Sequence, residues 1–248
     1  MRASLEVQGV TLDYAVYSTR AQSLRNAVLN AAVGGRLLKT AQDVAVVRAL
    51  SNVSFKLREG DRLALVGHNG SGKTSMLKVL AGVYEPNQGR VDVVGKLISM
   101  ISMSIGLDGE ASGIQNIRNL AMMQMISSKE IDRRLPSIVE FSDLGAFIHM
   151  PFRTYSAGMM ARLVFAVATS LSADVIVMDE WIGAGDASFQ EKAAARVSSF
   201  VDQASIVVLA THDPGLVHKV CNRVCELEAG QVAFLGTTEE WLARRAAA

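Results

Sequence analysis

The chain contains 248 residues, of which 50% are hydrophobic, and its formal net charge at pH 7 is +1. This length suits one large α/β domain, or two small domains that share a core, and the composition is that of a globular protein. There is no basic excess of the kind that favours nucleic acid as a partner. Cys221 and Cys225 are the two cysteines, and we expect reduced thiols because no second pair would complete a metal site.

The first segment has the pattern of a strand. Residues 5–12 alternate in part between apolar and polar side chains, which predicts an opening strand. Tyr14 and Tyr17 follow it, and either ring could stack on a nucleobase or be an ordinary edge-strand tyrosine. No apolar signal core precedes this strand, and no run of about twenty apolar residues follows it, so a membrane role would require a partner protein.

An amphipathic segment separates this strand from the next one. Between Arg20 and Val33 apolar residues recur with helical spacing while basic residues lie elsewhere, which predicts a short helix. Such a helix either packs on the domain or binds a membrane surface or a partner. Residues 34–44 are predicted to form a loop, and residues 46–57 a second strand region.

A glycine-rich octapeptide, GHNGSGKT, has the P-loop spacing G-x-x-x-x-G-K-[ST]. It lies between the apolar strand 62–66 and a helix that we expect Gly82 to end. Its glycines let successive N–H groups turn towards a phosphate, while Lys73 can reach the terminal phosphates and Thr74 can ligate Mg²⁺. The predicted nucleotide-binding residues are Gly67, His68, Asn69, Gly70, Ser71, Gly72, Lys73, Thr74 and Ser75, with Tyr14 or Tyr17.

The middle of the chain has a different character. Eight of the eleven methionines lie between residues 99 and 160, and Ile114, Ile117, Ala121 and Met125 repeat with helical spacing. This pattern predicts a helical subdomain inserted into the α/β core. Its methionines either fill irregular gaps in that core, which we favour, or form an adaptable docking surface.

A serine and a glycine come next, just before another helix. Ser156 and Gly158 precede a helix predicted from about Ala161 to Leu171. Small polar residues at a helix start leave N–H groups available, so this is a second candidate anion-binding helix N-terminus.

Two further apolar strands end in polar side chains. Residues 175–178 lead into Asp179 and Glu180, and residues 206–210 lead towards His212. In open α/β sheets ligands bind at the carboxyl ends of the strands. Asp179 therefore suits the Mg²⁺ shell, Glu180 suits polarisation of the attacking water, and His212 suits a γ-phosphate contact. Residues 224–232 are then predicted to form a hairpin with Gly230 in its turn.

In this order GHNGSGKT, YSAGM, VIVMDE and His212 resemble the nucleotide-binding subunit of ABC transporters over nearly the whole chain. YSAGM departs from the LSGGQ type of signature. Together with GAGDASFQ and the helical insert before the P-loop, it resembles one branch: the ATP-binding subunits of bacterial polysaccharide, O-antigen and teichoic-acid exporters.

The resemblance implies an α/β fold with a P-loop NTPase core of the RecA-like type. An N-terminal antiparallel β-subdomain would complete that core, with a helical subdomain inserted. The core would comprise residues 1–98 and 172–248, and residues 99–171 would form the helical subdomain with the signature helix.

The resemblance also implies ATP and Mg²⁺ as cofactors and a homodimer that sandwiches ATP. Each ATP would lie between one subunit's P-loop and the partner's signature residues. Those residues are Ser156, Ala157, Gly158 and Met159. A pair of integral-membrane subunits would hold the dimer peripherally at the cytoplasmic face of the inner membrane.

Two differences from the family pattern affect these expectations. The family has a glutamine where the core meets the helical subdomain, but residues 96–107 contain none, and Ser102 aligns near that place. Some exporters of this branch carry a C-terminal carbohydrate-binding domain. The sequence ends soon after the predicted hairpin, so we expect none here and place substrate recognition in another subunit.

Three other functions compete with polysaccharide export. An ATPase of another ABC transporter branch stays open because the fold serves many cargoes. A non-transport ABC ATPase usually has a long coiled-coil insert or two cassettes, and the sequence shows neither. A GTPase would need an Asn-Lys-x-Asp motif, which the sequence lacks.

Overall fold

The structure is a computed structural model that describes residues 2–16, 36–39, 45–101, 106–179 and 187–246. Its strands are β1 (Ser4–Val16), β2 (Arg36–Lys39), β3 (Ala45–Arg58), β4 (Arg62–Val66), β5 (Gln88–Val94), β6 (Leu97–Ser99), β7 (Val175–Asp179), β8 (Ile206–Ala210), β9 (Arg223–Glu228) and β10 (Gln231–Thr237). Its helices are α1 (Lys73–Leu80), α2 (Gly113–Met123), α3 (Ser128–Ser142), α4 (Ala157–Ala168), α5 (Ala187–Gln203), α6 (Pro214–Val220) and α7 (Thr238–Ala246). Two 3₁₀ turns, Gly145–His149 and Phe152–Thr154, connect α3 with α4.

An antiparallel sheet forms the N-terminal part, with the strand order β2-β3-β1-β5 among the described residues. The long strands β1 and β3 pair from Ser4↔Arg58 to Val16↔Ala45. Strand β2 contradicts the predicted loop over residues 34–44, because its four residues pair with β3 from Arg36↔Arg48 to Lys39↔Ala45. Four residues are too few to show an alternating pattern, so periodicity could not predict this strand.

The pairing of β1 with β3 is interrupted by bulges. Gly9 and Asn52 have φ values of 60° and 54° and lie at shifts in the register. These residue types adopt left-handed backbone conformations at low cost. Their N–H groups bond to side chains across the sheet: Gly9 donates to Ser54 Oγ at 2.8 Å and Asn52 donates to Thr11 Oγ1 at 3.0 Å. The bulges therefore leave both amides satisfied.

The second sheet has the order β10-β9-β4-β8-β7-β6 among the described residues. Strands β6, β7, β8, β4 and β9 are parallel, and β10 is antiparallel to β9. Its central strands are buried on both faces, as the apolar runs predict. In β4, Leu63 and Leu65 pack with α1 and the antiparallel sheet, whereas Ala64 and Val66 pack into the cluster that includes α2, α3 and α4.

The helices between β6 and β7 share one apolar core with the parallel sheet. Ile117, Ile138 and Leu163 are fully buried there. Helix α2 begins with a capping box, in which Ser112 Oγ accepts from Gln115 N–H and the Gln115 side chain accepts from Ser112 N–H. The prediction of helices in this region is therefore correct.

Two details of these helices differ from the sequence prediction. Met125 does not continue the face of α2, because the helix ends at Met123 and Met125 has a φ of 55° and a side chain that is 95% exposed. Helix α4 begins at Ala157 instead of Ala161, because Ser156 caps it through Met159 N–H. A capping serine sets the start of a helix more strongly than the first apolar repeat does.

The described methionines of this region divide into two groups. Met100 is buried, and Met159 and Met160 pack partly against the core, as the core-filling interpretation requires. Four others are exposed: Met122, Met123, Met125 and Met150. For these four the interpretation as core-filling residues is wrong.

The predicted C-terminal hairpin is formed by β9 and β10. Ala229 and Gly230 connect the strands, with φ values of 46° and 78°. A two-residue turn with both φ values positive has the type I′ geometry that matches the twist of the strands. Of the described helices, none is long and apolar enough to cross a membrane.

We expect both cysteines of the folded protein to react very slowly with a thiol reagent. Cys221 and Cys225 are buried, and burial raises the pKa of each thiol to about 12. Because the thiolate is the reacting form, modification near pH 8 should be roughly a thousandfold slower than for a free thiol. A colorimetric thiol assay measures this rate, and the denatured protein provides the control. Rapid reaction of the native protein would contradict the buried positions.

Candidate functional site

Three parallel strands bring distant parts of the chain to one edge of the sheet. In the β4–β8 ladder Leu65 pairs with Ala210, and in the β7–β8 ladder Ala210 pairs with Asp179. Thr211 continues the alignment by donating its N–H to Leu65 O at 3.1 Å. The carboxyl ends of β4, β7 and β8 therefore lie side by side, which is where open α/β sheets bind ligands.

The P-loop follows β4 directly and opens into α1. Gly67, Gly70 and Gly72 have φ values of 141°, 78° and 109°, which side chains rarely allow. Among the described residues no side chain caps Gly72, so the first N–H groups of α1 keep their capacity for an anion. The Lys73 ammonium donates to Gly67 O at 2.6 Å and to His68 O at 3.0 Å. The loop is thus folded around the lysine that would meet the phosphates.

A hydroxyl and a carboxylate face each other beside the P-loop. Thr74 Oγ1 lies 3.4 Å from Asp179 Oδ2, and the two residues are 105 positions apart in the sequence. Hard oxygen donors of these two kinds are those that Mg²⁺ takes in P-loop proteins. The two side chains therefore fit a magnesium site, with room left for water and phosphate oxygens.

A cavity of about 420 Å³ connects these elements. Of the predicted residues, those that line it are Tyr14, Asn69, Gly70, Gly72, Lys73, Thr74, Ser75, Asp179 and His212. Val47, Ala49, Ala210 and Thr211 also line it and were not predicted. Val47, Ala49 and Ala210 are apolar strand residues, and such residues carry no signal of a site. Ala210 and Thr211 could have been inferred only from their position directly before His212.

Gly67, His68 and Ser71 have other positions in the loop. A Cβ on Gly67 would lie 2.3 Å from Leu227 O and 2.6 Å from Ser71 Oγ, so this position is packed against the protein. Ser71 is fully buried. His68 is exposed, with Nδ1 2.7 Å from Asn69 O. These three residues shape the loop and do not line the cavity in the described part of the chain.

Tyr14 lines the cavity beside the start of α1. Its hydroxyl donates to Ser75 Oγ at 3.0 Å, and its ring meets Tyr84 edge-on with centroids 5.5 Å apart. These contacts hold the ring beside the start of α1. The prediction that this ring stacks on a base remains a prediction.

The signature residues are not part of this cavity. Within the described structure, Ser156 caps α4 while Ala157 stays exposed and Gly158 and Met159 are half-buried. A Cβ on Gly158 would meet only Ser156 Oγ, at 3.9 Å. The packing of this chain therefore does not require a glycine at that position.

The residue before Ser156 anchors this helix start. Tyr155 is 5% exposed, and its hydroxyl donates to Phe147 O at 2.7 Å. A Cβ on Gly113 would lie 2.4 Å from that hydroxyl, so the start of α2 packs closely against it. Burial raises the pKa of the Tyr155 hydroxyl, which keeps it protonated and able to donate.

Several predicted features lie outside the described residues. They are Tyr17, the Arg20–Val33 helix, Ser102, Glu180 and the GAGDASFQ segment up to residue 186. Their predictions are neither confirmed nor contradicted here.

The fold and the cavity define a P-loop nucleotide-binding protein, and comparison with known proteins identifies the family. The model of the ABC transporter family matches residues 50–183. The chain is 40% identical to the O-antigen export system ATP-binding protein RfbE of Yersinia enterocolitica, over 92% of this chain and 96% of that protein. The chain belongs to the ABC transporter family, as a subunit of the ATP-hydrolysing kind.

Two longer relatives share the same region. The teichoic acids export ATP-binding protein TagH of Bacillus cereus is 33% identical over 98% of this chain, which spans 42% of that protein. The TagH protein of Listeria monocytogenes is 32% identical over 93% of this chain, which spans 66% of that protein. These relatives agree with the predicted branch of the family.

Solved structures share the fold at low sequence identity. An ATP-binding subunit of an ABC transporter superposes with a TM-score of 0.70 at 21% identity, covering 98% of this chain and 93% of the other. A dimeric ATP-binding cassette bound to ADP and Pi gives a TM-score of 0.67 at 19% identity, with coverages of 94% and 98%. The predicted family and fold class are confirmed.

Proposed function

We propose that this chain hydrolyses ATP to power the export of a polysaccharide through a membrane ABC transporter. The observation that carries this proposal is the cavity in which the P-loop, Asp179 and His212 meet. Relatives named for O-antigen and teichoic-acid export support a polysaccharide cargo. We place the chain peripherally at the cytoplasmic face of the inner membrane, because an ATP-driven subunit meets its nucleotide there.

The cavity geometry and the position of Glu180 in the sequence suggest a division of roles. The N–H groups at the start of α1 and the Lys73 ammonium bind the β- and γ-phosphates. Thr74 and Asp179 would hold Mg²⁺, which would neutralise charge on the phosphate oxygens. His212, at the end of β8, contacts the γ-phosphate. Glu180, next to Asp179 in the sequence, polarises the attacking water.

A second copy of the chain completes the site. The start of α4 offers N–H groups and the Ser156 hydroxyl, but these groups lie outside the cavity of their own chain. A two-fold dimer places them against the ATP of the partner subunit. Among the described residues, a Cβ on Gly158 has no neighbour closer than Ser156 Oγ at 3.9 Å, which supports this arrangement because space is then left for the partner's nucleotide.

The helical part between residues 99 and 171 forms a subdomain that contacts the membrane subunits. Apolar side chains exposed on it, including Met122, Met125 and Phe147, are of the type found at protein interfaces. Because the signature helix α4 belongs to the same region, a movement at the ATP interface reaches this surface directly.

Lys73→Ala should weaken ATP binding by about a hundredfold, since it removes a charge-assisted contact to the phosphates worth roughly 3 kcal/mol. Titration of the purified variant with ATP measures this loss. Lys78→Ala is the matched control, because Lys78 lies at the other end of the same helix with its ammonium 5.3 Å from the centre of the Tyr84 ring. Equal affinities of both variants would count against the site.

Gly158→Leu should abolish the ATP-dependent dimer and steady-state hydrolysis while the melting temperature stays near that of the wild type. Its side chain enters space that the described part of the chain leaves open. Light scattering with and without ATP measures the dimer, and scanning calorimetry measures folding. A variant that still dimerises with ATP would show that Gly158 does not face the partner.

Glu180→Gln should bind ATP normally but slow hydrolysis by roughly a thousandfold, because the amide cannot accept the proton of the attacking water. In cells it should stop the export of the surface polysaccharide when it replaces the wild-type chain with its membrane subunits present. Export and the hydrolysis rate of the assembled transporter are measured together. Normal surface polysaccharide with an inactive ATPase would refute the proposed function.

A further inference from the structure

The turn of the C-terminal hairpin lies against the underside of the P-loop. Gly230 N–H donates to Ser71 O at 2.9 Å, inside the P-loop. Gly230 O accepts from Ser51 N–H of β3 at 2.8 Å. The two peptide groups that flank Gly230 therefore connect the P-loop with the antiparallel sheet, although Ser51, Ser71 and Gly230 are far apart in the sequence.

The backbones at this contact approach as closely as glycine permits. A Cβ on Gly230 would lie 2.6 Å from Ala49 O, and one on Gly72 would lie 2.8 Å from the same oxygen. The same Cβ on Gly72 would lie 3.5 Å from Gly230 Cα. Since the P-loop, β3 and the hairpin turn all meet here, a side chain on Gly230 must displace at least one of them.

A bulge in β3 makes this contact possible. Leu12 pairs with Leu50 and Asp13 pairs with Arg48, so Ala49 has no opposite residue on β1. A residue left out of the ladder can turn its carbonyl away from the neighbouring strand. The Ala49 carbonyl consequently faces Gly72 and Gly230, and Ala49 also lines the nucleotide cavity.

We propose that Gly230 is a positioning residue for ATP binding. It does not touch the nucleotide, but it holds the backbone of Ser71 and Gly72 in the conformation that presents the first N–H groups of α1 to the phosphates. Ser71 is fully buried, so the hairpin turn forms part of the floor on which the P-loop rests. This inference rests on the proposed binding of ATP at the P-loop.

A side chain at position 230 could act by colliding with Ala49 O or by straining the backbone of the turn, and the choice of variant separates these two effects. Gly230 has a φ of 78°, and asparagine tolerates this left-handed region better than other side chains do. Gly230→Asn therefore keeps the turn but introduces the Cβ that meets Ala49 O. Gly145→Asn is the matched control, because Gly145 also has a positive φ, 52°, and a Cβ there would have no neighbour within 4 Å in the described structure.

The experiment measures ATP affinity, the KM and kcat of hydrolysis, and the melting temperature of both variants. We expect Gly230→Asn to raise the Kd and KM for ATP about tenfold or more, with a smaller change in kcat, because small displacements of positioned groups have large effects. Gly145→Asn should match the wild type. A folded Gly230→Asn protein with wild-type affinity overturns the proposal.

If Gly230→Asn does not fold, hydrogen exchange of the wild-type protein tests the role of Gly230 instead. ATP should slow exchange of the Gly230 amide, whose partner is Ser71 O in the P-loop, although this amide lies outside the cavity. Unchanged exchange on adding ATP overturns the proposal. Lys73→Ala tests ATP binding at the P-loop independently of Gly230. If this variant still binds ATP, the proposed site fails. If only the prediction for Gly230 fails, the proposed site remains intact.

Discussion

The parallel alignment of β4, β8 and β7 is the constraint on which the site depends. Register in these ladders pairs Leu65 with Ala210 and Ala210 with Asp179, so the strands end at the same level. The strands are buried on both faces, and a slip by one residue would move their apolar side chains into the wrong clusters. The same packing that stabilises the sheet therefore sets the positions of the P-loop, the carboxylate and the histidine.

Two helix starts in this chain offer the same chemistry in different surroundings. Helix α1 begins inside the cavity, with the Lys73 ammonium held by P-loop carbonyls. Helix α4 begins outside it, at a surface that is firmly supported from below by Tyr155. A buried hydroxyl that donates one hydrogen bond contributes about 1 kcal/mol to stability. This support holds the start of α4 in place, and in the dimer proposed above it would lower the entropic cost of completing the site.

The sequence predicts the positions of these segments well wherever the signal is local. The P-loop, the strand ends at Asp179 and His212, and the hairpin turn at Gly230 are each specified by a few consecutive residues. What depends on contacts between distant segments could not be predicted. Strand β2 exists through its pairing with β3. Val47 and Ala49 line the cavity only because β3 passes beside the P-loop.

The predicted start of α4 and the predicted end of α2 are wrong because two local signals, the apolar repeat and the hydrogen bonds at the helix end, disagree there. The apolar repeat placed the start of α4 four residues late, whereas the Ser156 cap sets it. The same repeat extended α2 to Met125, but the backbone leaves the helix before that residue. In both cases the terminal hydrogen bonds of the helix determined its length, and periodicity described only its middle.

The exposed methionines give the helical surface a chemical sensitivity that buried positions do not share. Met125 is 95% exposed and Met122 is 69% exposed, so an oxidant in solution reaches their thioethers directly. Sulfoxide formation converts a flexible apolar side chain into a polar one. Met76 and Met178, which are buried in the core, are protected from the same reaction. Oxidative damage would therefore alter the surface of this subunit well before it disturbed the fold or the nucleotide cavity.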